Sequence, residues 1–278
     1  MSIKMKTRSW NKQDIVSIVR NIAKEELLPR FSKIKSNKKD DGSLITEADL
    51  AVQNRIDAEL KKLDADILFL GEEMSVEMQQ DILQQKNKSI WVLDPLDGTT
   101  NFAAGIPYYA VSLALIENGQ VELGVVYDPE RDECFIAEKN SGAFLQLSDF
   151  EYENLNTNDD QIKLSDAVAC IDLKRLPEQL AMKIVSNHPF RSQRSFGGVA
   201  LDWCWLPAGR FDVYLHGKQN IWDYAAGHLI FTEAGGRSCT LQDEPVFINE
   251  LTPRVGIGAL DSALFDEWTA WLDVTSSK

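Results

Sequence analysis

The sequence predicts a mixed α+β fold in which helices pack on β-sheets. Two observations support this fold class. Residues 109–147 contain short apolar runs separated by Asn-Gly and Asn-Ser-Gly turns, which is typical of an antiparallel meander. Residues 167–272 instead alternate strand-like apolar runs with helical patterns. The chain has 278 residues, enough for one large domain or two closely packed ones.

Two helices are expected before the meander. Apolar positions at helical spacing predict the first helix over 13–31. Thr46-x-x-Asp49 is a capping-box pattern, so a second helix is expected to begin there. The segment 33–42 is polar and rich in lysine. We interpret it as a solvated loop, with closure over a bound phosphate as the alternative.

The stretch from Trp91 to Phe102 carries the strongest chemical signal. An apolar run leads to Asp94, where the strand should end, because Pro95 fixes its own φ and disfavours helix at the preceding residue. Asp97 follows, and Gly98 begins a turn into a short helix. Two carboxylates beside hydroxyls and free backbone N–H groups suit a hard cation together with a phosphate. Taken alone, the stretch could also be an Asp-rich turn.

Two further stretches place acids at the ends of apolar elements. A strand predicted at 67–70 is followed by Glu72 and Glu73, and Asp223 begins an apolar helix. Adjacent residues of an extended segment point in opposite directions, so both glutamates reach one site only if the chain turns after Gly71. The structural alternatives are acids favoured at a helix N-terminus and, for Asp223, a helix N-cap.

Convergence of these acids would require cations. Two carboxylates about 4 Å apart repel each other by about 4 kcal/mol at an effective dielectric constant of about 20. All-oxygen ligands select Mg²⁺, Mn²⁺ or Ca²⁺ over zinc, and no Cys or His accompanies the motifs. Mg²⁺ fits best, because it retains waters and binds through a few carboxylates plus substrate phosphate.

The second half is expected to begin after a polar, acidic segment at 148–160. We therefore divide the chain into an N-terminal half, 1–150, and a C-terminal half, 151–278. Pro177 suits an early helical position, and Gly235-Gly236 is a strong helix stop. The predicted elements of this half are strands at 167–173, 211–215 and 255–259 and helices at 177–185, 199–206, 224–233 and 261–272.

Composition and charge exclude several kinds of protein. The net charge is −14, which argues against general binding to nucleic acid or anionic membranes. No segment is long and apolar enough to cross a bilayer, and the N-terminus lacks the apolar centre of a signal peptide, so we expect a cytoplasmic protein. Four widely spaced cysteines flanked by apolar residues are interpreted as reduced core residues.

The three acidic stretches, in this order, resemble the inositol monophosphatase family of metal-dependent sugar phosphatases. The resemblance covers nearly the whole chain. It implies a five-layered αβαβα arrangement, with a large antiparallel sheet in the N-terminal half and a smaller mixed sheet in the C-terminal half. It also implies two or three Mg²⁺ ions, a small-molecule phosphate ester as substrate, inhibition by Li⁺, and a homodimer.

The resemblance further implies roles for individual residues. Thr99, with Asp49 or Glu72, would orient a water for in-line attack on phosphorus. The implied metal ligands are Glu72, Glu73, Asp94, the carbonyl oxygen of Leu96, Asp97 and Asp223. The implied substrate-binding residues are Gly98, Thr99, Gly197, Gly198, Val199 and His216.

The alcohol side of the site departs from the inositol-specific members. Those proteins carry a glutamate seven residues before the Trp-Asp aspartate, where this chain has His216. Asn220-Ile221-Trp222-Asp223 also resembles related phosphatases that act on 3′-phosphoadenosine 5′-phosphate, whereas Thr100-Asn101-Phe102 matches the inositol-phosphatase form.

The leading hypothesis is therefore a Mg²⁺-dependent phosphomonoesterase for a small polyol or sugar phosphate. Inositol 1-phosphate is the first candidate substrate, followed by histidinol phosphate or 3′-phosphoadenosine 5′-phosphate. A non-catalytic regulatory binding protein of the same fold is the alternative from another class. Its signature would be a lost metal ligand, and the sequence shows no such loss. A calcium-binding structural module would need an EF-hand-like run of acids, which is absent from the sequence.

Overall fold

The computed structural model describes residues 10–31, 33, 37–38, 44–85, 88–148, 151–155 and 162–275. Its helices are α1 (Lys12–Glu26), α2 (Glu47–Leu63), α3 (Val76–Leu83), α4 (Thr99–Ala104), α5 (Glu178–Ser186), α6 (Val199–Trp205), α7 (Ile221–Glu233) and α8 (Ser262–Trp271). Its strands are β1 (Asn37–Lys38), β2 (Leu44–Ile45), β3 (Leu68–Gly71), β4 (Ile90–Asp97), β5 (Ala110–Glu117), β6 (Gln120–Asp128), β7 (Glu133–Glu138), β8 (Ala143–Ser148), β9 (Glu151–Leu155), β10 (Val168–Asp172), β11 (Ser192–Arg194), β12 (Val213–Gln219), β13 (Arg237–Cys239) and β14 (Arg254–Ala259).

The larger sheet has seven strands in the order β3-β4-β5-β6-β7-β8-β9. Strands β3 and β4 pair in parallel, and each later pair is antiparallel, which confirms the predicted meander. Asn118 and Gly119 join β5 to β6 with φ of 51° and 74°. Positive φ at both central residues is the type I′ requirement that an Asn-Gly pair satisfies.

The smaller sheet has five strands in the order β11-β10-β12-β14-β13. It is mixed, because β10 runs parallel to β11 and β12 whereas β14 runs antiparallel to β12 and β13. The antiparallel pairs of the large sheet join consecutive strands, which hairpins can connect. Parallel pairs need crossover connections, and α3 lies in the one between β3 and β4. Helices α5 and α6 lie in those of the small sheet.

The elements stack in five layers, as the resemblance implied. Helices α1 and α2 cover one face of the large sheet and share a core with Trp91, Leu93 and Val125. Helices α6 and α7 lie between the sheets, in a core that joins Val92 and Phe135 of the large sheet to residues of the second half. Helix α8 covers the outer face of the small sheet, which completes an αβαβα stack.

The structure corrects several element boundaries. Helix α1 ends at Glu26 rather than at residue 31, because the chain turns there. Strand β4 does not end at Asp94 but continues to Asp97. Its pairing with β5 shifts register between Asp94 and Asp97, so Pro95 occupies a bulge where no ladder donor is required. Helix α3 and strands β9, β11 and β13 were not predicted.

Some sequence predictions fall partly outside the described residues. Of the lysine-rich segment, 34–36 and 39–42 lie outside, and β1 pairs antiparallel with β2. Of the boundary segment, 149–150 and 156–160 lie outside, and β9 pairs with β8. The division into two halves at residue 150 stays a prediction. Among the described residues, no helix has the length and apolarity to span a bilayer. All four cysteines are buried free thiols, as predicted.

Candidate active site

The end of β4 presents two buried carboxylates. Asp94 and Asp97 are 2% and 7% exposed. Oδ1 of Asp94 accepts a hydrogen bond from the backbone N–H of Leu96 at 2.9 Å, and Oδ2 of Asp97 accepts one from the N–H of Ala200 at 2.8 Å. The bulge at Pro95 thus fixes Asp94 locally, while Asp97 links β4 to the start of α6.

Gly98 reverses the chain between β4 and α4. It adopts φ of 88°, a left-handed conformation that side chains other than glycine rarely take. A Cβ added here would lie 2.9 Å from the carbonyl oxygen of Tyr108, so both conformation and space require glycine. Helix α4 therefore begins directly beside the two aspartates.

The two glutamates after β3 separate, as expected for adjacent residues. The N–H of Glu72 donates to the carbonyl oxygen of Leu93 at 3.0 Å, which continues the parallel pairing beside β4. The N–H of Glu73 instead donates to Oε1 of Gln53 at 3.1 Å, and Nε2 of Gln79 donates to the carbonyl oxygens of Gly71 and Glu72 at 2.9 and 3.2 Å. Two glutamines from different helices thus fix this turn.

Asp223 reaches the same region from the second half. Asn220 is the N-cap of α7, and Asp223 is the third residue of a capping box whose Oδ2 accepts from the N–H of Asn220 at 2.7 Å. The N-cap alternative for Asp223 itself is therefore wrong, although the side chain does cap the helix reciprocally.

Thr99 and Asp49 form a second contact between distant elements. Oγ1 of Thr99 donates to the carbonyl oxygen of Leu96 at 2.9 Å and lies 3.4 Å from Oδ1 of Asp49. Oδ2 of Asp49 accepts from the N–H and Oγ1 of Thr46 at 2.7 and 2.6 Å, so the predicted capping box is present. One carboxylate therefore caps α2 and contacts the threonine of α4.

These elements surround one cavity of about 260 Å³. Most of the residues predicted for the site line it, whereas Asp49, Glu73 and Gly198 do not. The lining residues are Glu72, Asp94, Leu96, Asp97, Gly98, Thr99, Thr100, Asp172, Arg175, Gly197, Val199, His216, Lys218, Asn220 and Asp223. Sequence reasoning did not single out Thr100, Asp172, Arg175, Lys218 and Asn220 as lining residues, and no local spacing pattern identifies them.

The acids of the cavity raise one another's pKa values. Burial, then the charges of Glu72, Asp97 and Asp223, raise the pKa of Asp94 well above its ordinary value. Burial raises the pKa of Asp97 to about 7, and burial with the charge of Glu72 raises the pKa of Asp223. A buried group of like charges favours proton uptake unless cations compensate.

The donor set fits Mg²⁺. Four carboxylates line the cavity beside the end of β4, those of Glu72, Asp94, Asp97 and Asp223, and Leu96 also lines it and has a carbonyl oxygen. Such oxygen ligands suit Mg²⁺. Within the described residues, no group of three or more Asp, Glu, His or Cys side chains lies close enough together to hold a metal ion. Mg²⁺ needs no such group, because it keeps several waters and is completed by substrate phosphate.

The lining of the cavity also includes three residues predicted for the alcohol side of the site, Gly197, Val199 and His216. Gly197 adopts φ of 81°, and Nδ2 of Asn101 donates to the carbonyl oxygens of Phe196 and Tyr108 at 2.7 and 2.9 Å. Asn101 is therefore a positioning residue for this loop. Nε2 of His216 lies 3.2 Å from Oδ2 of Asp172 on the neighbouring strand.

Comparison with known proteins identifies relatives over most of the chain. The sequence profile described as the inositol monophosphatase family matches residues 11–270. "Nus factor SuhB" of Pasteurella multocida is 35% identical over 76% of this chain and 76% of that protein. "Fructose-1,6-bisphosphatase/inositol-1-monophosphatase" of Thermotoga maritima is 33% identical over 69% of this chain and 70% of that protein.

Solved structures agree with these sequence matches. The crystal structure of the extragenic suppressor protein suhB from Bartonella henselae superposes with a TM-score of 0.80 at 28% identity, covering 94% of this chain and 97% of that one. The five-layered fold and the matched profile thus point to the same relatives, and the chain belongs to the inositol monophosphatase family.

Proposed function

We propose that this protein is a Mg²⁺-dependent phosphomonoesterase acting on a small polyol or sugar phosphate. The observation that carries the proposal is the shared cavity of Glu72, Asp94, Asp97 and Asp223 beside the Thr99–Asp49 contact. Carboxylates suit hard cations, and the adjacent hydroxyl can orient a water. A protein that only binds a partner would not need a carboxylate cavity and a positioned threonine hydroxyl side by side.

Individual residues have distinct roles in this proposal. Glu72, Asp94 and the carbonyl of Leu96 would hold one ion. Asp94, Asp97 and Asp223 would hold a second together with waters and substrate phosphate, and a weaker third ion would lie near Glu72. When bound, Mg²⁺ would neutralise phosphate charge and lower the pKa of water. Glu73 supports the first ion indirectly, because its side chain does not line the cavity.

The protein groups supply orientation and hydrogen bonds. Oγ1 of Thr99 accepts a hydrogen bond from the attacking water while its own hydroxyl donates to the carbonyl oxygen of Leu96. Asp49 holds Thr99 in place. The N–H groups of Gly98 and Thr99 face developing charge on the phosphate oxygens, where fixed dipoles stabilise the transition state.

The experiment that tests this function is phosphate release with and without Mg²⁺ over a panel of esters. The panel contains inositol 1-phosphate, histidinol phosphate, fructose 1,6-bisphosphate and 3′-phosphoadenosine 5′-phosphate. We expect Mg²⁺-dependent release from at least one ester, inhibition by Li⁺, and loss of activity in Asp94→Asn. Asp166→Asn is the matched control, because Asp166 is exposed and outside the cavity. No release from any ester would reject the proposal.

A regulatory binding role is the second candidate, favoured by the relative named "Nus factor SuhB". Retention of all predicted carboxylates favours the enzyme, because a binding role does not need them. If the protein has only this regulatory role, wild type and Asp94→Asn would both fail to hydrolyse any ester of the panel, and both would still bind the regulatory partner. We also propose a homodimer and a cytoplasmic location, which sedimentation and cell fractionation test directly.

A further inference from the structure

Two basic side chains line the cavity together with its acids. Arg175 and Lys218 both line the cavity and both are exposed to solvent. Neither side chain forms a salt bridge or a hydrogen bond with any residue in the described part of the chain. The chain has 43 acids and 29 bases, yet among the described residues no carboxylate lies within ion-pair distance of either cation.

Packing of the backbone carries Arg175 to the cavity. Asp172 ends β10 and caps a short 3₁₀ turn, Leu173–Arg175. A Cβ added to Gly217 would lie 2.0 Å from the carbonyl oxygen of Arg175, so only glycine lets the turn lie against β12.

The polar groups of Asp172 and His216, which also line the cavity, are occupied by contacts with each other and with nearby backbone N–H groups. Oδ1 of Asp172 accepts from the N–H of Lys174 at 2.9 Å, and its Oδ2 lies 3.2 Å from Nε2 of His216. Nδ1 of His216 accepts from the N–H of Lys218 at 3.3 Å. Both ring nitrogens of His216 are thus engaged, and neither is available to a substrate hydroxyl. The two side-chain cations are the groups left to meet a ligand.

We infer that Arg175 and Lys218 bind a second anionic group of the substrate. The substrate class is then a small phosphate ester that also carries a carboxylate or a second phosphate, rather than a neutral polyol phosphate. This inference rests on the proposed function, since the scissile phosphate is placed beside the acids of the cavity. A charge-assisted contact to each cation would favour such a ligand over its neutral analogue by about tenfold or more.

Matched substrate pairs test the inference. Glycerol 2-phosphate and 2-phosphoglycerate differ by a carboxylate in place of a hydroxymethyl group, and fructose 1-phosphate and fructose 1,6-bisphosphate differ by a second phosphate. We expect wild-type kcat/KM to be about tenfold or more higher for the doubly anionic member of one pair. The pair that shows the preference identifies the second anion as carboxylate or phosphate.

Variants then assign the preference to the two cations. The double variant Arg175→Gln/Lys218→Gln should lose most of the preference while its kcat/KM for the singly phosphorylated member stays within about threefold of wild type. Lys174→Gln is the matched control, because Lys174 is exposed on the same turn but does not line the cavity. An equal loss on both members, or an unchanged preference, would overturn the inference and leave the phosphatase function intact.

A binding measurement separates this inference from the proposed function. Calorimetric titration with 2-phosphoglycerate and with fructose 1,6-bisphosphate requires no turnover. If no ester is hydrolysed, the proposed function fails. The second-anion site then still predicts that the double variant binds at least one of these two probes about tenfold or more weakly than wild type. Equal affinity of both proteins for both probes would reject it.

Discussion

Asp49 lies with its Oδ1 3.4 Å from Oγ1 of Thr99, although the two residues belong to different helices. Its other oxygen is fixed by the N–H and hydroxyl of Thr46. Burial, with a smaller contribution from the charge of Glu72, raises the pKa of Asp49 to about 6. At neutral pH the carboxylate is therefore ionised and can accept a hydrogen bond from Thr99.

Asp49→Asn should lower kcat about 100-fold or more with little change in KM, because the amide removes the charge that orients Thr99. Steady-state kinetics on the best ester of the panel measures this. Ser75→Ala is a useful control, because Ser75 caps α3 through the N–H of Met78, far from Thr99 in sequence and outside the cavity. A kcat within threefold of wild type in Asp49→Asn would contradict this role.

Gly98→Ala should abolish most activity and destabilise the protein. Alanine would have to adopt the left-handed φ of 88° found at Gly98, and its Cβ would lie only 2.9 Å from the carbonyl oxygen of Tyr108. Gly119→Ala is the matched control, since Gly119 has φ of 74° but no atom within 4 Å of an added Cβ. We expect the control to lose about 1–2 kcal/mol of unfolding free energy, the cost of the left-handed backbone alone. Urea denaturation should show a larger loss for Gly98→Ala.

Asn101→Ala should loosen the wall formed by Phe196 and Gly197. The substitution removes the donor that meets two backbone carbonyls, which costs about 1–3 kcal/mol of unfolding free energy for the groups left unsatisfied. We expect KM to rise more than kcat falls, because in the proposed function the alcohol side of the ester would lie against Gly197. Asn187→Ala, at an exposed helix end, should change neither. A fall in kcat alone would instead indicate a direct role for Asn101 in the chemistry.

The metal-free protein should become less stable as pH rises from about 4 to 7. Burial raises the pKa of Asp202 to about 7, and the Tyr108 hydroxyl that donates to it at 2.7 Å does not fully compensate. A raised native pKa means that the folded state holds a proton that the unfolded state releases, so the stability is present below pH 4 and lost as pH passes through 7. The slope is at most about 1.4 kcal/mol per pH unit for one group.

Asp202→Asn should flatten this dependence when unfolding is followed in EDTA at several pH values. The asparagine does not titrate, so the contribution of this residue to the pH dependence is removed. Glu153→Gln, on an exposed part of β9, should leave the wild-type profile unchanged. An identical slope in wild type and Asp202→Asn would show that Asp202 is not the titrating group.

Local patterns predicted the parts of the molecule that local physics determines. Helical spacing and the Thr46–Asp49 capping box located α2, and the Asn118-Gly119 pair located the β5–β6 hairpin. The apolar run before Asp94 located β4, because that run is buried throughout. Each of these elements is specified by residues within a few positions of one another, so a single sequence contains the necessary signal.

Other parts depend on contacts between distant segments. Arg175 reaches the cavity because its turn packs on Gly217, and Lys218 reaches it from β12, but no periodicity in the sequence marks either residue. Strand β11 is three polar residues long and exists through its pairing with β10. Glu73 leaves the cavity because Gln53, twenty positions earlier, accepts its N–H. Predicting these features requires the three-dimensional arrangement of segments that are distant in sequence.

Helix α7 has consequences for the order of events during synthesis. It is buried along most of its length between the two sheets, and Gly124 of β6 permits a close approach to Ala226. Asp223 can join the earlier acids only after this helix has docked. A nascent chain of which only the large sheet has emerged from the ribosome therefore lacks Asp223 and has an incomplete set of the proposed metal ligands. If the proposed function is correct, metal binding would require that both sheets have closed on α7, and truncated chains that lack α7 would be inactive.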